Sequence, residues 1–137
     1  MRQHALLGLG ALSGMANAKC DAGSIQALLP SGASVNFARS VAANSTFVVP
    51  KSDTGYPANA EKLPSLCAVS VQVKSIGNST YGFGMFLPDD WNGRFLGVGN
   101  GGFGGGINYE DMVRAPRTLS LTATNSSRDP ERNMASQ

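Results

Sequence analysis

Apolar and polar residues alternate most regularly over residues 66–76. Cys67, Val69, Val71 and Val73 take every second position, and Ala68, Ser70, Gln72 and Lys74 fall between them. A period of two predicts a strand with one buried and one wetter face. Gly77-Asn78-Ser79 has turn chemistry, and residues 80–87 predict a second strand with Tyr81, Phe83, Met85 and Leu87 on one face. Together they predict a hairpin. Upstream, β-branched, small and aromatic residues predict short strands at 35–41 and 46–49, broken by Ala42-Ala43-Asn44. Residues 51–64, with Gly55-Tyr56-Pro57, predict loop. Residues 24–30 predict a short helix capped by Ser24 and ended by Pro30. After the hairpin, residues 88–93 predict a turn and 94–99 a buried strand. That strand runs into the glycines of 99–106, and residues 107–112 predict the start of a helix.

The two ends of the chain differ from this pattern. Arg2, the apolar run 5–12 and Ala16-Asn17-Ala18 read as the n-region, h-region and cleavage site of a secretory signal peptide, cut after Ala18. No other segment is apolar enough to cross a bilayer. From Arg114 onward the chain is rich in Ser, Thr, Asn and Arg. Leu119 and Leu121 are its last aliphatic residues before Met134. Such a tail predicts disorder.

Composition adds little. Hydrophobic residues at 42% and charged residues at 15% suit one globular domain, and a net charge of +2 points to neither nucleic acid nor a membrane surface. Cys20 and Cys67 are the only cysteines. An even pair in an exported chain, with Cys67 on the apolar face of its strand, predicts a disulfide. Asn44-Ser45-Thr46, Asn78-Ser79-Thr80 and Asn125-Ser126-Ser127 are N-glycosylation sequons.

The glycine run is the main candidate for chemistry. Gly97-Val98-Gly99-Asn100-Gly101-Gly102 fits a dinucleotide fingerprint. Three further glycines oppose the helix that such a site needs, and no acidic residue stands at the required distance. In α/β-hydrolases the loop after an early strand lends a backbone N–H to the oxyanion hole, and glycines leave room for the substrate carbonyl. Asn100-Gly101-Gly102-Phe103 holds such a place. A plain surface linker accounts for the same residues equally well. No G-x-S-x-G occurs, and the one histidine is His4, inside the leader. The mature chain therefore cannot assemble a Ser-His-Asp triad or a His-bearing metal site.

A family resemblance rests on several of these segments. They are Leu63-Pro64-Ser65-Leu66-Cys67-Ala68-Val69, the hairpin with Phe86-Leu87-Pro88, Trp91-Asn92-Gly93-Arg94-Phe95, residues 99–105 and Ile107-Asn108-Tyr109. These resemble the N-terminal region of the fungal tannase and feruloyl esterase family, and Cys20 with Ile25-Gln26-Ala27-Leu28-Leu29-Pro30 resembles its mature start. The resemblance covers residues 19–113. It implies the α/β class: an N-terminal fragment of an α/β-hydrolase fold, mostly strands and a hairpin in this chain. Residues 1–18 would be the signal peptide and 114–137 a divergent, disordered tail.

For a full-length relative the resemblance implies a secreted serine esterase acting on phenolic esters, galloyl or feruloyl. It also implies a calcium ion in a lid domain, and a Ser and a His that each neighbour a disulfide-bonded cysteine. This chain has neither a Cys-Ser nor a His-Cys dipeptide. The expectation is a carboxylic ester hydrolase truncated before its Ser, Asp and His. It would be inactive alone, with no metal or cofactor of its own, no nucleic-acid or membrane partner, and Gly101 and Gly102 as its oxyanion-hole candidates. The alternative is a non-catalytic secreted module or a degenerate pseudo-enzyme.

Overall fold

The computed structural model of the chain describes residues 19–51, 58–99, 106–114 and 120–128. The leader, His4 and the glycines at 101 and 102 lie outside these residues. The expected hairpin forms from β4 (Leu66–Lys74) and β5 (Thr80–Pro88). They pair antiparallel in unbroken register from Leu66↔Pro88 to Lys74↔Thr80. β1 (Ala33–Val41) lies on the other side of β4, also antiparallel. Together with β6 (Arg94–Gly97) and β7 (Ser120–Arg128) these strands build one sheet in the order β1-β4-β5-β7-β6. β2 (Ser45–Phe47) and β3 (Ala60–Leu63) form a separate antiparallel pair.

The alternation in β4 suggests one wet face, but the structure covers both. Leu66 through Val71 are buried without a break. One face packs Cys67, Val69 and Val71 against Ile25, Leu29, Phe83, Met85 and Leu87. The opposite face packs Leu66 and Ala68 against Phe47, Leu63, Phe86, Tyr109 and Met112. Ala68 and Ser70 read as the wetter positions because they are small and not strongly apolar. In the fold the small Ala68 lies in one cluster with the rings of Phe47, Phe86 and Tyr109. Phe47 is the hub, with ring centroids 5.9 Å from Phe37, 5.7 Å from Phe86 and 5.2 Å from Tyr109. Aromatic pairs at such distances add to the stabilisation from burial.

β1 serves both faces by means of an extra residue. Val35 pairs with Val71 and Phe37 with Ser70, so Asn36 is a bulge. The bulge sends Val35 to one cluster and Phe37 to the other. Asn36 Nδ2 donates to Ser70 Oγ at 3.1 Å, a partner for a hydroxyl that is wholly buried. β1 is also a sheet edge. Gln26 meets it much as a strand residue does: its Nε2 donates to Ala33 O at 3.0 Å, and its Oε1 accepts from Val35 N–H at 2.9 Å.

Other expectations shift at their boundaries or fail. The first helix, α1, spans Ala22–Gln26, and its cap is Asp21 rather than Ser24. Asp21 Oδ1 accepts from Ser24 N–H at 2.9 Å, because a carboxylate three residues ahead can reach an unpaired amide of the first turn. The expected loop at 51–64 contains β3, whose backbone pairs with β2 despite exposed Glu61 and Lys62. β6 was expected to be buried, but it is the other sheet edge, with Phe95 62% exposed.

The expectation of a disordered tail from residue 114 fails over 120–128. There β7 pairs antiparallel with β5 and parallel with β6. A strand ladder is made by backbone N–H and C=O groups, which Thr, Ser and Asn carry as fully as Val does. Leu119 and residues 129–137 lie outside the described residues.

Gly84 marks the tightest fit. A Cβ there would stand 2.7–2.8 Å from the ring of Tyr109, which is 1% exposed. Glycine in mid-strand is otherwise weakening, so the ring contact explains it. Gly84→Ala should lower unfolding free energy by about 1–3 kcal/mol, the usual cost of overpacking. The measurement is urea denaturation of the full chain. In a Tyr109→Ala background the same substitution should cost little.

Candidate functional site

The glycine loop leaves the end of β6 and enters α2 (Tyr109–Arg114). Both of its anchors are well defined. On the entry side, Asp89 N–H donates to Ser65 O at 3.1 Å, and Ser65 Oγ donates to Asp89 Oδ2. Asn92 Oδ1 accepts from Arg94 N–H at 3.0 Å, Gly93 takes φ +81°, and the Trp91 indole N–H donates to Arg94 O at 2.8 Å. The Trp-Asn-Gly-Arg-Phe segment is thus a locked turn that aims β6. Asn supplies a side-chain acceptor two residues back, and Gly supplies the left-handed backbone.

On the exit side, Asn108 starts α2. Its Oδ1 accepts from Asp111 N–H at 3.1 Å, and its Nδ2 donates to Asp111 Oδ2 at 2.6 Å. This reciprocal cap was legible as Asn-x-x-Asp ahead of a helix, a signal that sequence reasoning passed over. Gly106, Ile107 and Tyr109 are buried, so the helix is seated.

β6 and β7 are parallel neighbours, with Arg94↔Ser120 through Gly97↔Ala123 in register. α2 stands between them in sequence and lies against β3 and β7. Strand, helix and parallel strand form a crossover unit, and the glycine-rich stretch follows its first strand in sequence. Gly101 and Gly102 themselves lie outside the described residues.

The other candidate residues are scattered. Cys20 and Cys67 form a disulfide with Cα atoms 5.5 Å apart, tying the residues ahead of α1 to β4. Asn44 lies exposed in the turn after β1, at φ +59°, and Asn78 lies exposed at the tip of the β4–β5 hairpin. Asn125 sits within β7 at the register position of Phe83. Among the described residues, no group of three or more His, Cys, Asp or Glu is placed to hold a metal ion, and no helix is long and apolar enough to cross a membrane. The Asp21 carboxyl has a displaced pKa. The Ser24 hydroxyl holds it below the usual value, with help from the Ser24 amide.

No family model matches the chain. Over 48 residues it is 46% identical to a probable feruloyl esterase B-2 of Aspergillus flavus, covering 35% of this chain and 9% of that protein. Over 53 residues it is 40% identical to feruloyl esterase C of Talaromyces stipitatus, covering 39% and 10%. The crystal structure of feruloyl esterase B from Aspergillus oryzae superposes with a TM-score of 0.63 at 27% identity, over 78% of this chain and 20% of that one. The chain resembles one part of the fungal feruloyl esterases. Its matches span only 9–10% of the length of these curated feruloyl esterases. An esterase from Aspergillus oryzae, 22% identical with a TM-score of 0.62, shares the fold. The likeness to feruloyl esterases therefore rests on sequence and on backbone geometry together.

Two outcomes follow for the anchors. Replacing both cysteines by serine should cost about 4 kcal/mol in a chain-entropy estimate for a closure of this length, read as a lower denaturant midpoint than the oxidised parent. The Asp21 cap should be fully present above the unfolded carboxylate pKa and lost as pH falls through the depressed folded one. An NMR titration should therefore place Asp21 below a model peptide, and Ser24→Ala should move its midpoint upward.

Proposed function

We propose that this chain is the first part of an α/β-hydrolase domain whose complete form hydrolyses phenolic carboxylic esters. The observation that carries this reading is the β6–α2–β7 crossover with a glycine-rich connection at the carboxyl end of β6. In hydrolases of this type, the loop after such an early strand presents a backbone N–H to the oxyanion. Gly101 and Gly102 are the residues for that role. A side chain at either would occupy the space of the substrate carbonyl, and a backbone donor held by β6 on one side and capped α2 on the other would be preorganised. The names of the relatives point to feruloyl esters as the substrate class.

The nucleophile, its acid and its histidine would come from residues beyond these 137, as would any calcium-holding lid. For the 137 residues alone the inference is a folded but non-hydrolytic unit, since their single histidine is His4.

The test uses a complete esterase carrying this segment. Gly102→Ala or Gly102→Val should lower kcat by about 10²–10³ with KM little changed, because the donor favours the transition state over bound substrate. The 137-residue chain should turn over methyl ferulate no faster than a boiled control. Unchanged kcat on substitution of both glycines would make the loop a linker.

A further inference from the structure

The β4–β5 hairpin ends in a tip that the rest of the fold leaves bare. Ser75 N–H donates to Ser79 O at 2.9 Å, Gly77 takes φ +70°, and Ser79 Oγ donates to Ile76 O at 2.9 Å, so the tip is an ordered turn. At its apex Ile76 is 95% exposed, the most exposed of the large hydrophobic residues described. An isoleucine left in water forgoes its burial and offers an apolar contact to any neighbouring molecule. Two residues on stands Asn78, the first residue of the Asn78-Ser79-Thr80 sequon, also exposed.

The three sequons occupy different environments. Asn44 is exposed in the left-handed backbone of a tight turn, donating its N–H to Leu63 O at 2.7 Å. That conformation suits Asn better than most residues and leaves the turn undisturbed by a substituent. Asn125 is in mid-strand, between Thr124↔Gly84 and Ser126↔Gly82 in the ladder with β5, opposite Phe83 of the apolar cluster. That register position is shared with Phe83, on the sheet face that packs the apolar cluster, so a branched oligosaccharide there competes with the layer covering that face.

We propose that the folded, exported protein carries N-linked glycans on Asn44 and Asn78 but not on Asn125, and that the Asn78 glycan shields Ile76. The leader-like residues 1–18 and the Cys20–Cys67 disulfide both fit an oxidising secretory route. The donor is a lipid-pyrophosphate-linked oligosaccharide. A bond forms between the Asn78 amide nitrogen and the anomeric carbon while the anomeric C–O bond breaks. The pyrophosphate leaves with that electron pair, and the amide nitrogen gives up a proton. This proposal is independent of the hydrolase reading, because no ester chemistry enters it.

The test is secretion of the full chain with its own leader from a glycosylating yeast, followed by peptide mapping after endoglycosidase treatment. Asn44→Gln and Asn78→Gln should each remove one step of glycan-dependent gel mobility, and Asn125→Gln none. Asn78→Gln should also lower soluble yield severalfold. The double substitution Asn78→Gln with Ile76→Ser should restore that yield without restoring the glycan, which separates shielding from a folding role. The proposal is overturned by an unmodified Asn78 or Asn44 in the secreted protein, or by a glycan on Asn125 in its folded fraction. An Asn78→Gln variant as soluble as the parent, an aggregation that Ile76→Ser leaves in place, or a chain that is never exported would overturn it too.

Discussion

The fold depends on β4 being buried on both faces. A strand in that position needs a layer above and a layer below. Each layer here is drawn from a different part of the chain: α1 and the segment after it on one side, α2 with the β2–β3 pair on the other. Val69, Ser70 and Val71 are wholly removed from solvent. Burying a side chain such as Val or Phe contributes about 1.5–3 kcal/mol, so the two clusters outweigh any single hydrogen bond, which contributes about 1 kcal/mol. The disulfide closes the first layer at its rim by joining Cys20 to the same strand.

Polar groups are fitted around this constraint. Ser70 lies in the middle of the sandwich, where an unpaired hydroxyl is costly, and the bulged Asn36 reaches it. The same extra residue turns β1 so that Val35 and Phe37 feed opposite clusters. Gln26 covers backbone groups on the outer edge of β1, a position where unpaired N–H and C=O groups invite association with another chain. The edge at β6 has no such cover from Trp91 or Phe95, both of which stay exposed.

The residues that carry the family likeness divide by physical role. Trp91, Asn92 and Gly93 hold a turn, Asn108 caps a helix, and Tyr109 fills the socket that Gly84 leaves. None of them is chemical by type. Their combined effect is to fix where a glycine-rich connection leaves β6 and enters α2. A site built from backbone donors needs that kind of support, since an N–H can be aimed only by aiming the chain around it.

The hairpin, the helix after the glycines and the cysteine pair were legible in the sequence, because each is set by local periodicity, by turn chemistry or by the only two thiols available. The resemblance to esterases was legible too, since it rests on short motifs. Three things were not. Ala68 and Ser70 read as the wetter positions, yet they are buried, because a face of small residues is covered only when distant residues such as Phe47 and Tyr109 pack beside it. β3 and β7 read as loop and tail, yet they are strands, because their pairing is made by backbone groups that leave no apolar pattern. β6 read as buried, yet it is an edge, because an apolar strand is covered only if another element lies beside it, and which strand comes last in a sheet is decided by the order of pairing. Local sequence determined what could form, and tertiary contact decided which faces were covered, since burial belongs to pairs of surfaces and a single strand carries only one of them.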